Sequence, residues 1–172
     1  FYTLPASNLP GGRGMGEPLR LMIDLPNDAP VIAMFPWREG ARYLVASKAG
    51  DGFVVPAGDI LAQTRAGKQV LNGDALLVRR IEGDHLACVG ENRKLLVFTL
   101  SELPEMERGK GVRLQKFKDG GLADAAFLTL SVGLSWKDPA GRTRTETDLA
   151  EWLGSRAQAG RMAPRGFPRD NR

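Results

Sequence analysis

The chain has 172 residues, a net charge of +4 at pH 7 and a sequence isoelectric point of about 9.5. Its hydrophobic content of 42% is enough for a packed core, and no apolar stretch approaches the roughly 20 residues of a membrane-spanning helix. One cysteine, Cys88, excludes an internal disulfide, and one histidine, His85, excludes a metal site with two or more histidine ligands from this chain. Residues 155–172 hold five arginines and one acid, whereas residues 1–154 hold nineteen basic and nineteen acidic groups. If the body binds a polyanion, it must therefore do so through locally clustered charge.

Short apolar runs between glycines and prolines predict strands along the whole chain. These runs cover residues 31–35, 43–47, 52–56, 75–81, 85–89, 94–100, 112–117 and 122–130. Helical turns are predicted at 59–62 and 101–104, and a short helix at 147–152 with Thr147 or Asp148 as its cap. Beyond residue 155 we expect an irregular segment or a partly paired last strand, followed by disorder. The chain is thus predicted to be all-β.

The strand pattern repeats. An apolar run that begins at Leu44 returns at Leu86, 42 residues later, and each copy ends in a glycine–lysine turn, at 67–68 and at 109–110. Related turns centre on Gly14 and Gly160. A period of roughly 40–50 residues with several strands per unit is typical of propeller-like arrays. We expect a domain at 1–154 with three to four blades, the first incomplete, and a basic tail at 155–172; whether the ring closes is left open.

Basic residues at the repeated turns are the candidate ligand-binding residues, because phosphate contacts from lysine and arginine supply affinity without reading sequence. For each of them a solvated surface charge is the alternative. A protein-interaction propeller is the rival function, and a small β-barrel enzyme is disfavoured because no acid, base and nucleophile cluster in the sequence. The candidates at or beside the repeated turns are Arg13, Arg65, Lys68, Arg108, Lys110, Arg113 and Arg161, and those in the hairpins are Lys48, Arg93 and Lys94.

Several segments together resemble a known family, the C-terminal domain of the topoisomerase IV A subunit, which is related to the corresponding domain of DNA gyrase. The segments are 9–18, 49–54, 59–68 and 103–111. The likeness covers most of the chain, is strongest over 8–18 and 44–112, and is weak after about residue 118. The Gly-rich box with Gln and Arg that marks the gyrase domain is absent, which argues against strong wrapping of DNA.

The resemblance implies a β-pinwheel, an array of four-stranded blades that binds and bends double-stranded DNA. It implies a non-catalytic part of an ATP-dependent type II topoisomerase, an isomerase whose cleaving tyrosine lies in another domain. ATP would act on the B subunit of topoisomerase IV, with Mg²⁺ at the cleavage site, so no cofactor is expected in this fragment. The parent would be a heterotetramer of both kinds of subunit in the bacterial cytoplasm. The resemblance implies that the parent enzyme associates with the nucleoid and is compatible with peripheral association of that enzyme with the membrane. Its role would be decatenation and chromosome segregation.

Overall fold

The computed structural model describes residues 1–171 and contains strands and 3-10 turns, with no α-helix in that range. No helix among these residues is long and apolar enough to cross a membrane. The strands are β1 (Arg42–Ser47), β2 (Asp51–Pro56), β3 (Ala75–Arg80), β4 (His85–Gly90), β5 (Lys94–Thr99), β6 (Val112–Arg113), β7 (Leu122–Leu128), β8 (Leu134–Lys137), β9 (Thr143–Glu146) and β10 (Arg161–Met162). The 3-10 turns are Ala6–Asn8, Leu19–Leu21, Ala57–Ile60 and Leu100–Glu102.

Three antiparallel sheets form the array. The first has the order β3-β1-β2-β6, the second β10-β5-β4-β7, and the third is the hairpin β8-β9. The last strand of each four-stranded sheet comes from the next repeat, since β6 follows β5 in the chain and β10 follows β9. Edge strands β3 and β7 lie against each other, so β6 and β10 occupy the opposite, outer edges. The all-β pinwheel prediction is confirmed, and the sheets form an open array.

The repeat is offset by one residue from the alignment that the sequence favours. Leu44 of β1 packs in one buried cluster with Leu86 and Cys88 of β4, so these side chains face each other across the two sheets. The equivalent of Leu86 on the first sheet is therefore Tyr43, whose side chain lies in a separate cluster on the other face of β1. Both faces of these strands are buried and apolar, so side-chain type alone does not distinguish the two faces.

Two glycines allow the outer strands to approach their sheets. Gly111 precedes β6 at a φ of +81°, and Gly160 precedes β10 at a φ of +75°. A Cβ on either residue would lie 2.4 Å from a carbonyl oxygen, that of Gly52 or that of Leu95. Each glycine thus combines a left-handed backbone with a backbone contact that no side chain would permit.

Two local predictions fared differently. The helical turns predicted at 59–62 and 101–104 are confirmed as 3-10 turns that begin two residues and one residue earlier. The helix predicted from Thr147 to Trp152 is wrong, because this segment folds as turns. Its backbone instead pairs with β5: the amide of Val97 donates to the carbonyl of Trp152, and Gly154 donates back to Val97.

The tail is ordered over its described length. The amide of Ala157 donates to the carbonyl of Leu114, β10 pairs with β5, and Arg93 binds the backbone of residues 167 and 168. The segment expected to be disordered therefore packs against the blades, because its backbone completes the second sheet. Residue 172, an arginine of the predicted tail, lies outside the described residues.

Candidate nucleic-acid interface

Positive charge is concentrated in three equivalent stretches of the chain, which we call the outer segments. They are residues 60–72, 103–118 and 153–169, and they follow β2, β5 and β9 in turn. The second supplies β6 and the third supplies β10. Together they hold eleven basic residues and two acidic ones. The rest of the chain holds the other thirteen basic and eighteen acidic groups, so the small net charge of the whole chain conceals a basic surface along the outer edges of the sheets.

Two cations of the second outer segment share one buried carboxylate. Asp51 begins β2, and its side chain is 5% exposed. Its Oδ1 lies 3.1 Å from Nε of Arg113, and its Oδ2 lies 3.5 Å from Nζ of Lys110. Arg113 also donates to the carbonyl oxygen of Ala49. Asp51 thus fixes both cations at the outer edge, while Lys110 remains 70% exposed.

Other predicted residues on the outer segments differ in how free their charge is. The side chains of Lys68, Arg108 and Arg161 make no hydrogen bond or ion pair within residues 1–171, although Lys68 is half-buried. Arg65 is exposed, but its guanidinium donates to the carbonyl of Leu21 and lies 3.5 Å from Asp24. Of the predicted residues on these segments, Arg108, Arg161 and Lys110 are therefore the available cations, with Lys68 partly covered.

The predicted hairpin residues lie at one end of the sheets rather than along the outer edge. The amide of Leu122 donates to the carbonyl of Lys48 in the first hairpin turn, and the amide of Glu91 in the second turn donates to Gly121. Residues 121–122 thus bring the two turns together. Lys48 is exposed there without a side-chain partner among the described residues, and Lys94 is half-buried at the start of β5.

Arg93, in contrast, is used in packing. Its Nη1 donates to the carbonyl of Pro168 at 2.8 Å and to Oδ1 of Asn171, and its Nη2 donates to the carbonyl of Phe167. Its guanidinium therefore holds the tail against the second hairpin. Arg13 lies in the N-terminal segment outside the sheets, exposed, and no contact within residues 1–171 brings its side chain to the other candidates.

Sequence reasoning missed a charged cluster on the third hairpin. Asp138 lies in the β8–β9 turn with its side chain 4% exposed, and its Oδ2 accepts from Nε of both Arg142 and Arg144 at 3.1 Å. Its Oδ1 accepts the backbone amides of Ala140 and Arg142. These contacts hold the pKa of Asp138 below its ordinary value, and the hydrogen bond from the amide of Arg142 has the largest effect. The Asp-Pro-Ala-Gly turn at 138–141, flanked by cations, was the signal that could have revealed the cluster.

The two remaining titratable groups of note belong to β4 and its start. Burial raises the pKa of the Cys88 thiol, which is fully enclosed. The Nδ1 atom of His85 lies 2.7 Å from Oδ1 of Asp84, which also accepts the amide of Leu130. Both hydrogen bonds lower the pKa of Asp84, and the one to His85 has the larger effect. Asp84 therefore links the start of β4 to the segment that follows β7.

Comparison with known proteins agrees with this architecture. The family model described as "DNA gyrase C-terminal domain, beta-propeller" matches residues 42–77 and 84–129. The A subunit of DNA topoisomerase 4 from Caulobacter vibrioides is 46% identical over the whole chain, and its counterpart from Rickettsia bellii is 39% identical. The chain spans 23% and 24% of the lengths of these two relatives.

Solved structures give the same result. The E. coli ParC C-terminal domain superposes with a TM-score of 0.81 and 30% identity, over 98% of this chain and 74% of that one. A C-terminal domain of DNA topoisomerase IV superposes with a TM-score of 0.69 over 86% of this chain and 49% of that one, and its 17% identity makes it a likeness of fold alone. The repeated blades, the outer strand taken from the next repeat and these matches together identify the chain as a member of the family of C-terminal domains of the topoisomerase IV A subunit.

Proposed function

We propose that this chain binds double-stranded DNA along the outer edges of its sheets and bends it. The domain would thereby position a duplex for strand passage, decatenation and supercoil relaxation by the parent topoisomerase. The observation that carries the proposal is the excess of eleven basic over two acidic residues in the outer segments. Lysine and arginine along such an edge replace the counterions condensed on a duplex, and a bent duplex meets more of them.

Three of the predicted residues make the direct contacts to DNA in this proposal. Arg108, Arg161 and Lys110 contact backbone phosphates directly, because they are the most available of the predicted residues on the outer segments. Arg113 lies beside them, with its Nε on Asp51. Because such contacts do not read bases, we expect binding to be largely independent of sequence.

The parent enzyme lies beyond what this chain contains. We propose that the chain is its non-catalytic part, that cleavage and ATP hydrolysis occur in other domains, and that the B subunit completes a heterotetramer. The parent would act on the nucleoid in the bacterial cytoplasm. Duplex binding by this chain should therefore persist in EDTA and without ATP.

The test is a salt titration of duplex binding by fluorescence anisotropy with a 40-base-pair duplex of mixed sequence. The logarithm of the binding constant should fall linearly with the logarithm of salt concentration, by about 0.9 per phosphate contact. The variant Arg108→Gln/Arg161→Gln should bind more weakly and reduce that slope by about 1.8. Thermal unfolding of each variant verifies that the fold is retained.

A matched control removes two positive charges away from the outer segments. Arg38 precedes β1, and Arg80 ends β3 on the edge that faces the second sheet; both are exposed. Arg38→Gln/Arg80→Gln should leave the slope unchanged. Equal loss in both double variants would refute the assignment to the outer edge. No measurable binding of duplex by the parent chain would leave the rival, a protein-interaction domain.

A further inference from the structure

The third hairpin carries an arginine pair that none of the preceding assignments uses. Arg142 and Arg144 each donate Nε to the same oxygen of Asp138, yet their side chains are 71% and 53% exposed. A guanidinium has five N–H donors, and only the one on Nε is engaged here. Both Nη groups of each arginine therefore remain available to a ligand.

The pair is held in place from below. Asp138 is fixed by two backbone amides in addition to the two arginines, so the carboxylate cannot turn away. Because ordering a long side chain on binding costs conformational entropy, two arginines that are already aligned lose less entropy than free ones. Asp138 neutralises one charge in return, and the cluster of three retains a net positive charge.

The tail contacts the hairpin on the face that carries Arg144, because Trp136 is the cross-strand partner of Arg144. Lys137 lies on the opposite face, where its Nζ donates to Oγ1 of Thr143 at 2.7 Å. The tail crosses the hairpin at Trp136, whose Nε1 donates to the carbonyl of Gly166 at 3.0 Å. Trp136 also contacts the ring of Phe167, with 5.5 Å between the ring centroids.

The tail adds two arginines beside that crossing. Arg165 and Arg169 flank the tail residues that Trp136 and Arg93 hold, and both are exposed without a side-chain partner among residues 1–171. Asp170, next to Arg169, is the acid of this tail segment. The hairpin face that the tail crosses, together with residues 165–170, carries four arginines against Asp138, Glu146 and Asp170.

The arginine pair lies outside the three outer segments, although Arg165 and Arg169 belong to the third of them. The amide of Leu130 binds Asp84, which places the start of β8 near the start of β4. Both strands run away from that junction, so the β8–β9 turn lies toward the end where the second hairpin turn carries Arg93. Arg93 reaches Phe167 and Pro168 there, and Phe167 in turn touches Trp136. The tail therefore connects the two hairpins at this end of the sheets.

We infer that Arg142 and Arg144, positioned by Asp138, form a second phosphate-binding site that takes the sugar–phosphate backbone of duplex DNA at the hairpin end of the domain. The inference rests on the proposed function and extends it to a surface beyond the outer edges. Planar guanidinium groups with paired Nη donors match the geometry of phosphate oxygens. Arg165 and Arg169 lie on the tail that contacts Trp136, the cross-strand partner of Arg144, and their charges raise the local concentration of the polyanion.

The experiment uses the full chain and the same 40-base-pair duplex. Arg142→Gln/Arg144→Gln should weaken binding and reduce the salt slope by about 1.8, whereas Arg38→Gln/Arg80→Gln should not. Asp138→Asn tests whether DNA binding weakens or tightens when the charge of the buried carboxylate is removed. Asparagine retains an oxygen for the two turn amides but loses the charge that aligns the arginines. Binding at 0.1 M salt should fall about threefold or more although the net charge rises by one. Tighter binding would overturn the positioning role of Asp138.

Two further outcomes separate this site from the proposed function. If Arg108→Gln/Arg161→Gln lowers the slope and Arg142→Gln/Arg144→Gln does not, the second site is refuted while the outer edge stands. If the chain without substitutions does not bind the duplex, both proposals fail. The variant Arg142→Lys/Arg144→Lys separates charge from geometry. It keeps both positive charges on the hairpin but cannot form the Nε contacts to Asp138. Its binding should be weaker than that of the parent chain, and unchanged binding would refute the requirement for aligned guanidinium groups.

Discussion

The attachment of the outer strands can be tested by adding a single methyl group. In Gly111→Ala the new Cβ would lie 2.4 Å from the carbonyl oxygen of Gly52, where real Cβ atoms essentially never lie within 3.0 Å. Strand β6 would have to move by about 0.6 Å or more, and overpacking of this kind costs about 1–3 kcal/mol. The left-handed backbone adds about 1–2 kcal/mol for alanine. We therefore expect the free energy of unfolding to fall by about 2–5 kcal/mol.

The control separates the two contributions to that loss. Gly40 has a φ of +71° and no atom within 4 Å of the position of a Cβ, so Gly40→Ala carries the backbone cost alone. The two variants should differ by about 1–3 kcal/mol, which is about 2–12 °C in Tm for a chain of this size. Thermal unfolding followed by circular dichroism, with urea titration as a second measure, provides the assay. Equal melting temperatures would refute the close approach of β6 to β2.

Three further predictions concern charged and buried groups. Asp51→Asn should lower the free energy of unfolding by about 1–2 kcal/mol, or roughly 2–8 °C in Tm. The reason is that the buried side chain of residue 51 loses its charge and with it the charged contact to the half-exposed Arg113. An unchanged Tm would contradict this prediction. Cys88 should resist a thiol reagent at pH 7 until urea unfolds the chain, since its pKa is raised by burial; rapid labelling of the native protein would contradict the enclosed position. The pKa values of Asp84 and Asp138 are lowered in the folded state, so their stabilising contribution is complete above the ordinary value of 3.8 and is lost as pH falls below it. Urea midpoints between pH 2 and pH 7 should therefore fall on the acid side, and less steeply in Asp138→Asn than in the parent chain.

The fold could be predicted from the sequence because its strands are short, apolar and repeated. Which face of β1 and of β4 packs against which neighbour could not be predicted, because both faces of these two strands are buried. Leu44 and Leu86 look equivalent by type, yet they pack against each other from neighbouring sheets. The strand registers of the folded hairpins show that Tyr43 is the equivalent of Leu86, since Tyr43 pairs with Val55 and Leu86 pairs with Phe98.

The candidate site was predictable where the repeat carries its charge. Arg108 and Arg161 lie next to the glycines of the recurring turns, Gly109 and Gly160, and are part of the outer segments. Arg93 could not be distinguished from them, since its role depends on carbonyl groups of the tail some 75 residues later in the chain. The pair at Arg142 and Arg144 was missed because the buried carboxylate that aligns it becomes evident only when the hairpin is folded.

The exchange of outer strands between repeats has a consequence for synthesis of the protein. A chain emerging from the ribosome can pair β1, β2 and β3 at once, but β2 keeps an unpaired edge until residue 113 has been made. The second sheet likewise waits for residue 162. Maturation therefore proceeds in one direction with a lag of one module, and a ribosome that stalls between modules leaves an incomplete sheet edge exposed to misassembly.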